Sequence, residues 1–115
     1  MFDFEKLEVY KKTKQFNQIV YHFVQQQKVD KVTYDQLRRA SFSIMLNIAE
    51  GSGRFTKPDK RNFYIIARGS VFECVAIFDY LKDMKQIEED KFMQFYTSLE
   101  EVSKMLFAMI KELGK

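Results

Sequence analysis

Apolar residues recur at spacings of three, four and seven along four stretches of the chain, and each stretch reads as an amphipathic helix. In the first, about residues 5–27, Val9, Phe16, Ile19, Val20, Phe23 and Val24 share one face. The period is lost over residues 25–31, a predicted loop. In the second, about residues 34–50, the inward face reads Leu37, Ala40 or Ser41, Ile44, Asn47 and Ile48. Thr33 is its predicted N-cap. Small residues dominate this face, so a neighbouring helix can come close. Gly51-Ser52-Gly53 is the predicted stop, with glycine supplying left-handed dihedrals.

The third helix, about residues 57–85, opens on Thr56-Lys57-Pro58-Asp59, a capping-box pattern with Pro58 in the first turn, where a missing N–H costs little. Its predicted core stripe is Phe63, Ala67, Ser70, Cys74, Ile77 and Leu81. In the fourth, about residues 88–113, the stripe is Phe92, Phe95, Leu99, Val102, Leu106, Met109 and Leu113, ended by Gly114. Short connections make neighbouring helices antiparallel. The predicted fold is therefore an all-α, up-down-up-down four-helix bundle, one domain over residues 1–115.

Composition agrees with long helices and few turns: 4 glycines and 1 proline among 115 residues. Cys74 is the single cysteine, which excludes an internal disulfide and suits a reducing cytoplasm, the expected location. No apolar run approaches the roughly 20 residues that span a bilayer. The opening MFDFEKLEVYKK lacks the apolar run of a signal peptide.

The third helix carries more apolar surface than one core stripe needs. Val71, Val75 and Phe78 lie about 80° from that stripe, and Ile65, Phe72 and Ala76 are nearly opposite it. A helix apolar most of the way round is buried most of the way round. Val71, Val75 and Phe78 are therefore the expected oligomer interface, and the 12 Phe and 6 Tyr point the same way.

Candidate chemistry is sparse. His22 is the only histidine, and no acid lies three or four residues from it. One His and one Cys cannot make a zinc site, and the paired Glu-x-x-His motifs of di-iron bundles are absent. Gly51-Ser52-Gly53-Arg54 lacks the spacing of a P-loop. No enzyme activity, metal or cofactor is expected. Glu50 and Glu73 fall near the predicted core, where a carboxylate must be partnered. They are read as a structural polar network with Arg39, Asn47 and Ser70, with Arg38 a further candidate partner.

Charge is uneven. Residues 31–68 hold 8 basic and 3 acidic groups, whereas residues 69–115 hold 6 and 9. Lys57, Arg61 and Arg68 fall within a stripe of about 40° on the third helix, with Tyr64 among them. Arg54 precedes this stripe and Lys60 flanks it. Cations interleaved with an aromatic suit a phosphate backbone and a stacked base. Arg54, Lys57, Lys60, Arg61 and Arg68 are the candidate RNA- or DNA-binding residues.

Two blocks carry a family resemblance. Residues 39–54, with Asn47-Ile-Ala-Glu-Gly51, and residues 63–73, with Gly69-Ser-Val-Phe-Glu73, resemble the signature of the four-helix-bundle proteins encoded in bacterial 23S ribosomal RNA intervening sequences. The likeness extends to the lengths of the helices. It implies antiparallel bundles that assemble as barrel-shaped homopentamers, related to the nucleic-acid-binding accessory proteins of diversity-generating retroelements. It also implies that Asn47, Glu50, Ser70 and Glu73 are structural. Lys11 and Lys12 depart from the small apolar residue expected in the first helix. The family label reflects where the genes lie, and ribosome membership does not follow. The expected function is non-catalytic binding of RNA or DNA by a homo-oligomer, with little sequence specificity. The rival expectation is a scaffold whose client is another protein.

Overall fold

The computed structural model describes residues 1–115. A 3-10 turn over Asp3–Lys6 precedes α1 (Glu8–Gln26), α2 (Lys31–Ser52), α3 (Lys57–Asp83) and α4 (Glu89–Leu113). The helices form an antiparallel four-helix bundle measuring 43 × 26 × 22 Å. Its direction is fixed by cross-helix contacts at two levels of each neighbouring pair: Gln25 with Tyr34 and Asn17 with Ser41, Lys60 with Ser52 and Gln36 with Glu73, Arg61 with Ile110 and Lys82 with Glu89.

Helix ends differ from the expected ones for local reasons. Asp30, not Thr33, caps α2. Its carboxylate accepts the Thr33 backbone N–H at 2.9 Å and the Thr33 hydroxyl at 2.8 Å. A charged acceptor is the stronger cap, so the helix starts three residues earlier than predicted. These bonds, the backbone one first, hold the Asp30 carboxyl below the usual aspartate range. A depressed folded pKa means the contribution is present above the unfolded value and lost as pH falls through the folded one. In an acid titration followed by circular dichroism, Asp30→Asn should therefore have a flatter acid limb than the wild type. Identical limbs would contradict the charged cap.

The glycine stop also works differently. α2 runs through Gly51 and ends at Ser52, and no glycine has a positive φ. Gly51 is needed for space: a Cβ there would stand 2.8 Å from Phe63 Cβ and 2.9 Å from the Tyr64 ring. The close α2–α3 approach read from small residues is thus found, with Gly51 at its tightest point. Thr56 caps α3 through the Asp59 N–H, as expected.

The buried face of α3 is rotated from the predicted stripe. Tyr64, Ala67, Ser70, Val71, Cys74, Phe78 and Leu81 are buried, while Phe63 and Ile77 are half-buried. Phe78 supplies the reason. Its ring meets Phe16 and Phe23 of α1 at 6.5 and 6.1 Å and stacks on Phe95 of α4 at 4.3 Å. α3 packs against α2 and α4 and reaches α1 across the core, so its buried arc is wide. Val71 and Phe78, assigned above to an oligomer interface, are therefore core residues, each 1% exposed. Val75 is half-buried at the edge of that core. On α1, Ile19 is exposed, and on α4, Met109 and Leu113 are only partly covered.

Candidate nucleic-acid interface

Antiparallel packing brings the start of α3 to the end of the bundle where α2 and α4 finish. The carbonyls of a helix's last turn lack internal partners, and cations there are favoured by the dipole. Lys60 donates to the Ser52 carbonyl at 2.7 Å, at the end of α2. Arg61 Nε donates to the Ile110 carbonyl at 3.3 Å, near the end of α4. Arg54 pairs with Glu50 at 3.2 Å and lies over the Phe63 ring at 4.5 Å. Lys57 is exposed and takes part in no side-chain hydrogen bond or ion pair within the chain. Four of the five predicted contact residues thus gather at this end, three of them also fastening the fold. Arg61 spends one nitrogen inward and Lys60 one proton, so each keeps donors for an outside acceptor.

Arg68 stands apart. It is half-buried, with its guanidinium 4.9 Å from the Phe72 ring and 5.5 Å from the Phe107 ring. Its Nε is buried without a partner. It sits where two grooves of about 530 and 430 Å³ meet between α3 and α4. Along them the outer face of α3 offers Ile65, Gly69, Phe72 and Ala76, all exposed. The second set of apolar residues noted in the sequence, not Val71 and Phe78, is what faces outward. Tyr96 and Phe107 extend this face onto α4.

Tyr64 does not join the cations. It is buried against Gly51, and burial raises its phenol pKa. The aromatic available at this end is Phe55, fully exposed at the α2–α3 turn between Arg54 and Lys57. Its signal in the sequence is its place in a turn, off any helical face that could bury it. The turn and the N-terminal segment enclose a cleft of about 520 Å³ lined by Phe2, Phe4, Glu50, Arg54 and Phe55.

The polar network breaks into separate pieces. Asn47 donates to the Ser43 carbonyl and hydroxyl, and the Ser43 and Ser70 hydroxyls are 2.7 Å apart across α2 and α3. Glu50 and Glu73 are exposed rather than near the core: Glu50 takes Arg54, and Glu73 takes the Gln36 amide. Arg39 joins neither. The rotation of α3 carries Glu73 to the flank of that helix and into water, whereas Glu50 is exposed in the last turn of α2. Arg38 turns away from this flank and stacks on Tyr21 and Phe42. Lys11 and Lys12 are carried on the α1 surface, paired with Glu8 and Glu101.

Cys74 is buried, and desolvation first, then the nearby Glu73 charge, pushes its thiol pKa far up. His22 is exposed, edge-on to Tyr21 at 5.4 Å. No group of three or more His, Cys, Asp or Glu side chains is placed to hold a metal ion. No helix is long and apolar enough to cross a membrane.

Residues 5–108 match the family described as 23S rRNA-intervening sequence protein. No curated protein matches the chain. Among solved structures, a Bacteroides thetaiotaomicron protein of unknown function from the S23 ribosomal protein family has the same fold. The TM-score is 0.84 at 24% identity, covering 90% of this chain and 98% of that one.

Proposed function

The chain belongs to the 23S rRNA-intervening sequence protein family, and from that premise we propose a non-catalytic protein that assembles with copies of itself and holds RNA or DNA at its basic end. One observation carries the reading. The same helix, α3, begins among Arg54, Lys57, Lys60 and Arg61 and continues as an outward strip of Ile65, Gly69, Phe72 and Ala76. Copies joined through that strip would array their cationic ends together and strengthen the field on a phosphate backbone. Phe55 replaces Tyr64 as the aromatic beside the cations, open to the terminal base pair at the end of a duplex. Contacts confined to phosphates and one ring make the binding tolerant of sequence.

Light scattering should give the wild type a mass above the 13.8 kDa of one chain. Phe72→Glu should shift it toward a single chain. The Lys57→Glu, Arg61→Glu variant should bind a short RNA duplex at least about tenfold more weakly, with a salt slope smaller by about 2. Unchanged affinity with the helical content intact would remove the surface. The exposed Phe72 and Phe107 favour a second reading, a scaffold for a protein client; recovery of that client after nuclease treatment would decide for it.

A further inference from the structure

The outer surface shared by α1 and α2 has a composition that the fold does not require. No carboxylate occurs from Val9 to Val29 or from Gln36 to Ala49, and Asp35, one turn before Arg38 and Arg39, is taken by Lys31 at 2.7 Å. Solvated helix faces ordinarily mix both signs, because acid–base pairs one turn apart support the helix. Lys11 and Lys12 find acids outside these stretches, but none of the six ion pairs includes Lys14, Arg38 or Arg39. The cations are interleaved with rings. The Arg38 guanidinium lies 5.1 Å from the Tyr21 ring centre and 5.0 Å from that of Phe42. Tyr21 is 45% exposed and Phe42 43%.

We propose that this α1–α2 face is a binding surface for single-stranded nucleic acid, separate from the basic end of α3. Arg38 is held between two rings, so its donors are already ordered before a phosphate arrives. Tyr21 and Phe42 offer flat apolar surface for unpaired bases, and Lys14 and Arg39 extend the positive strip along the backbone. A duplex hides its bases from such rings, so the surface prefers strands that are unpaired. A contact made only to tie α1 to α2 would need neither the exposed rings nor the arginines left without an acid.

The test uses the full chain, a short fluorescein-labelled oligothymidylate and a duplex, with anisotropy read across a sodium chloride series. Arg38→Gln, Arg39→Gln should weaken oligothymidylate binding about tenfold and lower the salt slope by about 1.4, since each lost contact to a single strand removes about 0.7. Tyr21→Ala, Phe42→Ala should weaken it by at least about tenfold with little change of slope, because stacking releases no counterions. Arg39→Gln alone breaks no ion pair and serves if the paired variant loses helical content. The Lys57→Glu, Arg61→Glu variant separates the two sites: it should lose duplex affinity and keep the oligothymidylate. Oligothymidylate binding that survives the arginine and ring substitutions, or falls only in the Lys57, Arg61 variant, overturns the proposal. Equal losses for the duplex, or displacement by polyglutamate at equal charge, also overturn it, the latter in favour of an acidic protein partner.

Discussion

Phe78→Ala should destabilise the protein by about 3–5 kcal/mol, the usual cost of removing a buried phenylalanine. The ring is the hub of an aromatic quartet. It touches Phe16 and Phe23 on α1 and stacks on Phe95 of α4, with an interplanar angle of 14°. Alanine would leave three rings facing a void and sever the contact between α1 and α3 across the core. Against a total stability that is typically about 5–15 kcal/mol, such a loss is large. Phe72→Ala, on the outer face of the same helix, should change the stability of a single chain by less than about 1 kcal/mol. Urea unfolding of dilute protein compares the two directly. Similar midpoints would mean that Phe78 does not hold the core. The contrast also separates packing from assembly, since the Phe72 change should alter the mass in solution and the Phe78 change the folding transition.

Two glycines inside helices should respond to alanine with opposite signs. Helix propensity alone favours alanine over glycine by about 1 kcal/mol in a helix interior such as Gly69, and by less at Gly51, next to the end of α2. At Gly51 that gain is outweighed. The new methyl would lie 2.8 Å from Phe63 Cβ, an atom fixed to the α3 backbone, and 2.9 Å from a buried Tyr64 ring. Neither neighbour can swing aside, so α2 and α3 must separate. Gly51→Ala should cost about 1–3 kcal/mol net, and Gly51→Val more. At Gly69 a methyl would meet nothing within 4 Å. Gly69→Ala should therefore stabilise a single chain by up to about 1 kcal/mol. A midpoint that rises in Gly51→Ala as in Gly69→Ala would refute the close α2–α3 contact. A glycine that brings the single chain no stability fits a helix face that another copy approaches closely.

The two candidate surfaces are unequally legible. The basic start of α3 stands out in the sequence as a cluster of cations within one stretch. The α1–α2 face does not, because it joins residues 14–21 to residues 38–42, and only the antiparallel pairing that sets Tyr21 beside Arg38 reveals it. Phe55 escapes a reading by periodicity, which describes helices and says nothing of an aromatic in a turn.

Periodicity by itself determined four helices, their order, their approximate ends and the inward stripe of α4, because a 3.6-residue repeat survives any arrangement of neighbours. Glycine and the small residues of α2 likewise announced a close helix contact. What only the tertiary structure decided is which way α3 is turned. That helix is apolar around much of its circumference, so several rotations would bury similar area. The choice fell to shape: Phe78 fits among three other rings, and Tyr64 closes over Gly51. From that rotation follow the burial of Val71 and Phe78, the exposure of Glu73, and the outward strip centred on Gly69. Burial energy is nearly indifferent to direction, whereas packing at solid density is not.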